Sequence, residues 1–132
     1  MKLDEYFQNI SGVGVLATAN KEGEVNAAIF APPHVIDKNQ VAFIMRDRLT
    51  HKNLQSNPFA TYLFMEEGAF YMGTRLFLKK RKEDSNSKLI ESMSRSCLPP
   101  DEEKARGPKF IVYFEITKTL PLVGTGKENI ST

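Results

Sequence analysis

The sequence holds a single cysteine, Cys97, no tryptophan and only two histidines, His34 and His51. One cysteine allows no internal disulfide. No apolar run reaches the length of a membrane span, and the opening MKLDEYFQNI has no signal-peptide apolar region. A cytoplasmic setting without a membrane partner is therefore expected. Charge of one sign is scarce as well, because 18 Lys and Arg against 16 Asp and Glu leave a net charge of +2. No global field draws the chain to nucleic acid, so any basic recognition has to be local. Neither histidine has cysteine or carboxylate partners at metal-ligand spacing, and no serine sits in a nucleophile elbow. No metal is expected and no catalytic residue is assigned. The glycines at 12 and 14 lead into a strand pattern, which is the wrong context for a dinucleotide fingerprint.

The 132 residues, 41% of them hydrophobic, suffice for one core. The expectation is one domain over residues 1–124 and a polar tail over 125–132. Its informative stretch is residues 40–64, QVAFIMRDRLTHKNLQSNPFATYLF. The apolar run 41–45 reads as a buried strand, and Arg46, Asp47 and Arg48 break it. Thr50 is placed as the N-cap of a helix that begins at His51 and stops at Pro58. A helix start carries free backbone N–H groups and the positive end of the helix dipole, and Arg46, Arg48 and Lys52 lie around this one. That suits a phosphate dianion. A plain cap in a solvated basic loop has the same features.

Around this stretch the pattern is largely β. Leu3, Tyr6, Phe7 and Ile10 mark one face of a helix over 2–10, followed by a strand over 13–19 and, across the turn 20–23, a second strand over 24–30. Ala27 and Ala28 in that second strand either pack beneath the N-terminal helix or form a flat shelf for a planar ring. Pro32 and Pro33 end it, and a short strand over 34–36 leads back to the run at 40–45. Strands over 59–64 and 69–78 follow, and the basic run 79–82 reads as a solvated strand end. A helix over 84–98, capped by Asp84 or Ser85, carries Cys97 as a core residue on its apolar face. The run 109–117, apolar on nearly both faces, is the most convincing strand. Meander-like hairpins of this kind predict an antiparallel barrel or sandwich.

The order of these segments, with GVGVLATANKEGEVNAAIF, VAFIMRDRLTHKNLQSNPFATYLF and KFIVYFEI, resembles the pyridoxamine 5'-phosphate oxidase-like FMN-binding split barrels. The resemblance covers about residues 1–124 and is most specific over 44–58. It implies a mainly β, antiparallel, Greek-key-like split barrel with flanking helices, assembled as a homodimer with FMN at the subunit interface. Carried onto this sequence, it implies that Arg46, Thr50 and Lys52 hold the phosphate, with His51 beside them as an imidazole donor or ribityl contact. Ile44 and Met45 would present backbone to the ring, Asn26, Ala27 and Ala28 would approach from the other side, and Leu122 and Val123 would close the pocket from the partner chain.

The segment NAAIF lacks the basic residues of true pyridoxamine phosphate oxidases, and GTGKENIST lacks their terminal Arg- and His-bearing segment. Vitamin B6 oxidation is therefore not implied. What is implied is an FMN-dependent oxidoreductase or small electron-transfer flavoprotein with an unidentified donor or small-molecule substrate. The alternatives are a non-enzymatic module that holds FMN or another phosphorylated ligand for storage or sensing, and a deazaflavin- or haem-binding split barrel in which His51 ligates iron.

Overall fold

The computed structural model describes residues 2–68, 70–93, 102 and 106–124. Its elements run α1 (Leu3–Asn9), β1 (Gly12–Ala19), β2 (Val25–Ile29), β3 (His34–Asp37), β4 (Gln40–Arg46), α2 (Leu49–Ser56), β5 (Phe59–Glu66), β6 (Gly73–Asp84), α3 (Ser87–Met93) and β7 (Lys109–Pro121). The strands form one antiparallel sheet in the order β2-β1-β5-β6-β7-β4-β3. Although β4 and β5 stand three places apart in that order, the Phe43 and Tyr62 rings lie 5.1 Å apart. The sheet therefore curls into a barrel. Its two end strands, β2 and β3, are not hydrogen-bonded neighbours, which leaves the barrel split.

Alternation decides what fills it. In β1 the buried residues are Gly14, Leu16 and Thr18, and in β5 they are Ala60, Tyr62 and Phe64, every second position as a half-buried strand requires. The central strands β4 and β7 are buried on both faces. Phe43, Met45, Val112 and Phe114 face the barrel, whereas Ala42 and Ile111 pack with Ile90 of α3. On the barrel, Leu3, Tyr6, Phe7 and Ile10 of the α1 region pack against the core, as their spacing predicts. Tyr6 donates to Glu66 Oε2 at 2.6 Å. Burial, then that bond and the Glu66 charge, push the Tyr6 phenol pKa upward.

Several boundaries differ from the sequence reading, among them the last strand, expected over 109–117, which as β7 runs on to Pro121. The strand expected over 69–78 is β6, Gly73–Asp84, and Phe70, Tyr71 and Met72 are exposed in the turn before it. Tyr71 takes a positive φ of 52°, which no strand allows. At its other end β6 runs on because residues Lys79 to Asp84 pair with β7 across a bulge between Lys80 and Lys82. The basic run is thus sheet with partnered charges, Arg81 bonding Glu115 at 2.7 Å and Lys82 lying over the Tyr113 ring. Since Asp84 belongs to β6, the α3 cap is Asn86, whose Oδ1 accepts from the N–H groups of Lys88 and Leu89. Cys97, the rest of the helix expected to 98 and the tail 125–132 lie outside the described residues. Among the described residues no helix is long and apolar enough to cross a membrane.

Candidate functional site

The candidate site is the start of α2, and its cap differs from the one expected. Arg48, in extended conformation, is the N-cap, and Thr50 already lies in the first turn. The reason is tertiary: Thr50 is buried and its Oγ1 accepts from Asn26 Nδ2 at 3.3 Å. One turn on, Asn53 Nδ2 donates to Thr18 Oγ1 at 3.1 Å, and Thr18 and Asn26 are register partners on β1 and β2. Two polar bonds therefore tie the inner face of α2 to the β1–β2 hairpin. The first backbone bond at the start of the helix runs from the Lys52 N–H to the Arg48 carbonyl. The N–H groups of Leu49, Thr50 and His51 consequently have no acceptor within the helix.

The opposite flank is held by charge. His51 is buried, stacked on Phe110 with centroids 4.1 Å apart and planes 9° from parallel. Its Nδ1 lies 2.9 Å from Asp47 Oδ1 and its Nε2 lies 3.0 Å from Glu83 Oε2. A carboxylate only accepts, so a ring nitrogen bonded to one does so through its N–H, and Gln55 Nε2 also lies 3.1 Å from His51 Nε2. Glu83 also accepts from Lys80 Nζ at 2.6 Å and from Gln55 Nε2 at 2.9 Å. Burial by itself would raise the Glu83 pKa. The bonds from Lys80, Gln55 and His51, with the Lys80 charge, outweigh it and hold the carboxyl at about 2.

These contacts redistribute the residues expected at a phosphate. His51 is not aimed at a ligand: both ring nitrogens are engaged by the chain's own carboxylates, which equally opposes the iron-ligand alternative. The arginines do not simply ring the helix start. Arg46 Nη1 donates to the Gly107 carbonyl at 2.9 Å and Arg48 Nη2 to the Arg106 carbonyl at 3.3 Å, tying this start to the segment that enters β7. Lys52 stays exposed in the first turn. A depression of about 710 Å³ runs beside it, lined by Asp47, Arg48, Leu49, His51, Lys52 and Gln55.

Ala27 and Ala28 cannot form one shelf, because successive strand residues point to opposite faces. Ala27 is exposed with Val25 and Ile29, whereas Ala28 and Asn26 are half-buried on the other face. The helix that packs on β2 is chiefly α2, while α1 packs chiefly against β3. Ile44 and Met45 turn their side chains to the α3 cluster and the barrel core, respectively. Only backbone is left to offer, and β3 pairs with β4 no further than Ala42, since Pro32 and Pro33 precede β3. Beyond Ala42, among the described residues, β4 has a strand neighbour on the β7 side alone. Leu122 and Val123 follow the far end of β7, 13 residues or roughly 40 Å of extended chain from the Lys109 end that pairs with Arg46. One chain does not bring them to α2.

Sequence reasoning missed Thr18, Asn53 and the two carboxylates on His51. Asp47, four residues before His51 on a helix start, was a visible signal. Glu83, 32 residues away, gave none. Among the described residues no group of three or more His, Cys, Asp or Glu is placed to hold a metal ion.

No protein-family model matches the sequence, and no curated protein matches it. Solved structures do. An FMN-binding protein from Syntrophomonas wolfei subsp. wolfei superposes with a TM-score of 0.72 at 16% identity, covering 93% of this chain and 85% of that one. A candidate pyridoxamine 5'-phosphate oxidase from Lactobacillus delbrueckii gives 0.64 at 11% identity, with 88% of each chain covered. An F420 reductase gives 0.62 at 20% identity, covering 90% of this chain and 97% of that one. The fold is that of the pyridoxamine 5'-phosphate oxidase-like split barrels.

Proposed function

We propose that this protein is an FMN-binding flavoprotein acting as a homodimer, an oxidoreductase or small electron carrier of the reducing cytoplasm rather than a vitamin B6 oxidase. The observation that carries the reading is the first turn of α2. Three N–H groups without helical acceptors and the exposed Lys52 belong to it, with the Thr50 hydroxyl on its inner face, close to a β4 edge that has no further strand beside it among the described residues. Thr50, whose oxygen accepts from Asn26, holds this turn against β2 and keeps one hydroxyl proton to donate. Arg46 and Arg48 serve at one remove, fixing the 106–107 carbonyls beside the site. FMN, when bound, supplies the electron chemistry. The chain supplies the anchor and the orientation.

The dimer has support of its own. Register places Ile29, Val15 and Leu63 in one row across β2, β1 and β5, and Ala27, Ala17 and Thr61 in the next, with Val13 opposite Met65. Val13, Val25, Ile29, Phe59, Leu63 and Met65 are all exposed on this sheet face. So contiguous an apolar surface fits a second copy, and Leu122 and Val123 would then have to come from that copy to close the pocket. Light scattering is expected to give twice the chain mass of 14.9 kDa, and a monomer would contradict this arrangement.

FMN titration followed by flavin fluorescence tests the site, with riboflavin as the phosphate-free control. Lys52→Ala is expected to weaken FMN by about 1.5 kcal/mol, roughly tenfold, and to leave riboflavin unchanged. Equal loss for both ligands would remove Lys52 from the phosphate. Supplying a reduced nicotinamide to the loaded protein separates redox function from storage or sensing, since only the first predicts turnover.

A further inference from the structure

We propose that Glu83 is a positioning residue of the phosphate site, acting through His51 to fix the first turn of α2 without touching the ligand. The proposal rests on the phosphate reading above and adds a residue from β6 that has no place in it. Asp47, His51 and Gln55 belong to the start and body of α2, whereas Glu83 and Lys80 belong to β6 and Phe110 to β7. Glu83 is the point at which these meet. One carboxylate oxygen takes His51 Nε2, and the other takes both Lys80 Nζ and Gln55 Nε2. His51 is the third helical residue, so whatever fixes its ring fixes the turn whose N–H groups face the ligand.

The same network makes a prediction opposite in sign to simple electrostatics. Removing a negative charge near an anion site should strengthen binding by Coulomb's law. Here the charge is already matched by Lys80 at 2.6 Å, and an amide in its place keeps one acceptor oxygen where two are in use, one by His51 and the other by Lys80 and Gln55. Either His51 or the Lys80–Gln55 pair is left without its acceptor, and the turn shifts to find another. In both cases the donors at the helix start lose their alignment, and the lost alignment outweighs a screened field change.

Glu83→Gln, which keeps the shape of the side chain, is therefore expected to weaken FMN about tenfold while leaving riboflavin affinity unchanged. A purely structural role would weaken both ligands together. His51→Gln reads the same connection should Glu83→Gln not fold, and it is expected to cost FMN the same factor, with the double variant losing no more. If the unmodified protein prefers FMN to riboflavin and both variants keep that preference undiminished, the role of Glu83 is overturned and the site stands. If the unmodified protein shows no preference for FMN, the phosphate site is overturned, and this role with it.

Discussion

Gly14→Ala is expected to destabilise the barrel by about 3 kcal/mol or more, combining an overpacked core with a broken buried hydrogen bond. Gly14 is buried in β1, and the Tyr62 side chain crosses over it to donate to the Phe30 carbonyl at 2.9 Å. A Cβ at residue 14 would overlap the Tyr62 hydroxyl outright and stand 2.7 Å from the Phe30 oxygen. Tyr62 cannot retreat, since its ring is fully buried and packs against Phe43, Phe7 and Phe64. Phe30 cannot move freely either, because its N–H is bonded to the Gly14 carbonyl at 3.0 Å. Chemical denaturation of the alanine variant checks this. A loss below about 1 kcal/mol would show that the crossing is not closed as described.

The second large effect is acid sensitivity. The Glu83 carboxyl is held at about 2 in the folded protein against an ordinary 4.5. A folded-state value below the unfolded one means that the unfolded chain takes up the proton more readily, so stability is lost as pH falls. The contribution of Glu83 is complete above about pH 4.5 and is lost as pH falls toward 2, in total on the order of 2–3 kcal/mol. The side chain is a quarter exposed, which places the effect toward the lower end. Glu83→Gln should be less stable than the unmodified protein by this amount near neutral pH, and the gap should close in acid. Denaturation of both proteins at several pH values measures it, and a gap that stays constant would mean that Glu83 is not the group concerned.

Fold and site were legible to different depths, for a physical reason. The double-sided burial of β4 and β7 could be read because continuous apolar runs report burial without reference to a partner. The α1 face could be read for the same reason, its spacing being local. Phe70, Tyr71 and Met72 misled because apolar residues announce a strand whether or not a neighbouring strand exists, and here the chain turns instead. At the site, a basic helix start after a buried strand was visible, but its cap was set by Asn26 on a strand 24 residues earlier. The fate of His51 depended on Glu83 and Phe110, both far along the chain. Side-chain polar partners at long sequence separation leave no periodicity behind. Ala27 and Ala28 are a different case, since strand alternation already forbids one face for both.

The central claim is that the first turn of α2 anchors an FMN phosphate, and the visible absorption spectrum of freshly purified protein tests it most directly. The account predicts a flavin spectrum, with FMN identified by mass after release at about one molecule per chain. A colourless protein that also fails to take up added FMN would contradict it, leaving a split barrel whose α2 start serves some other anion or none.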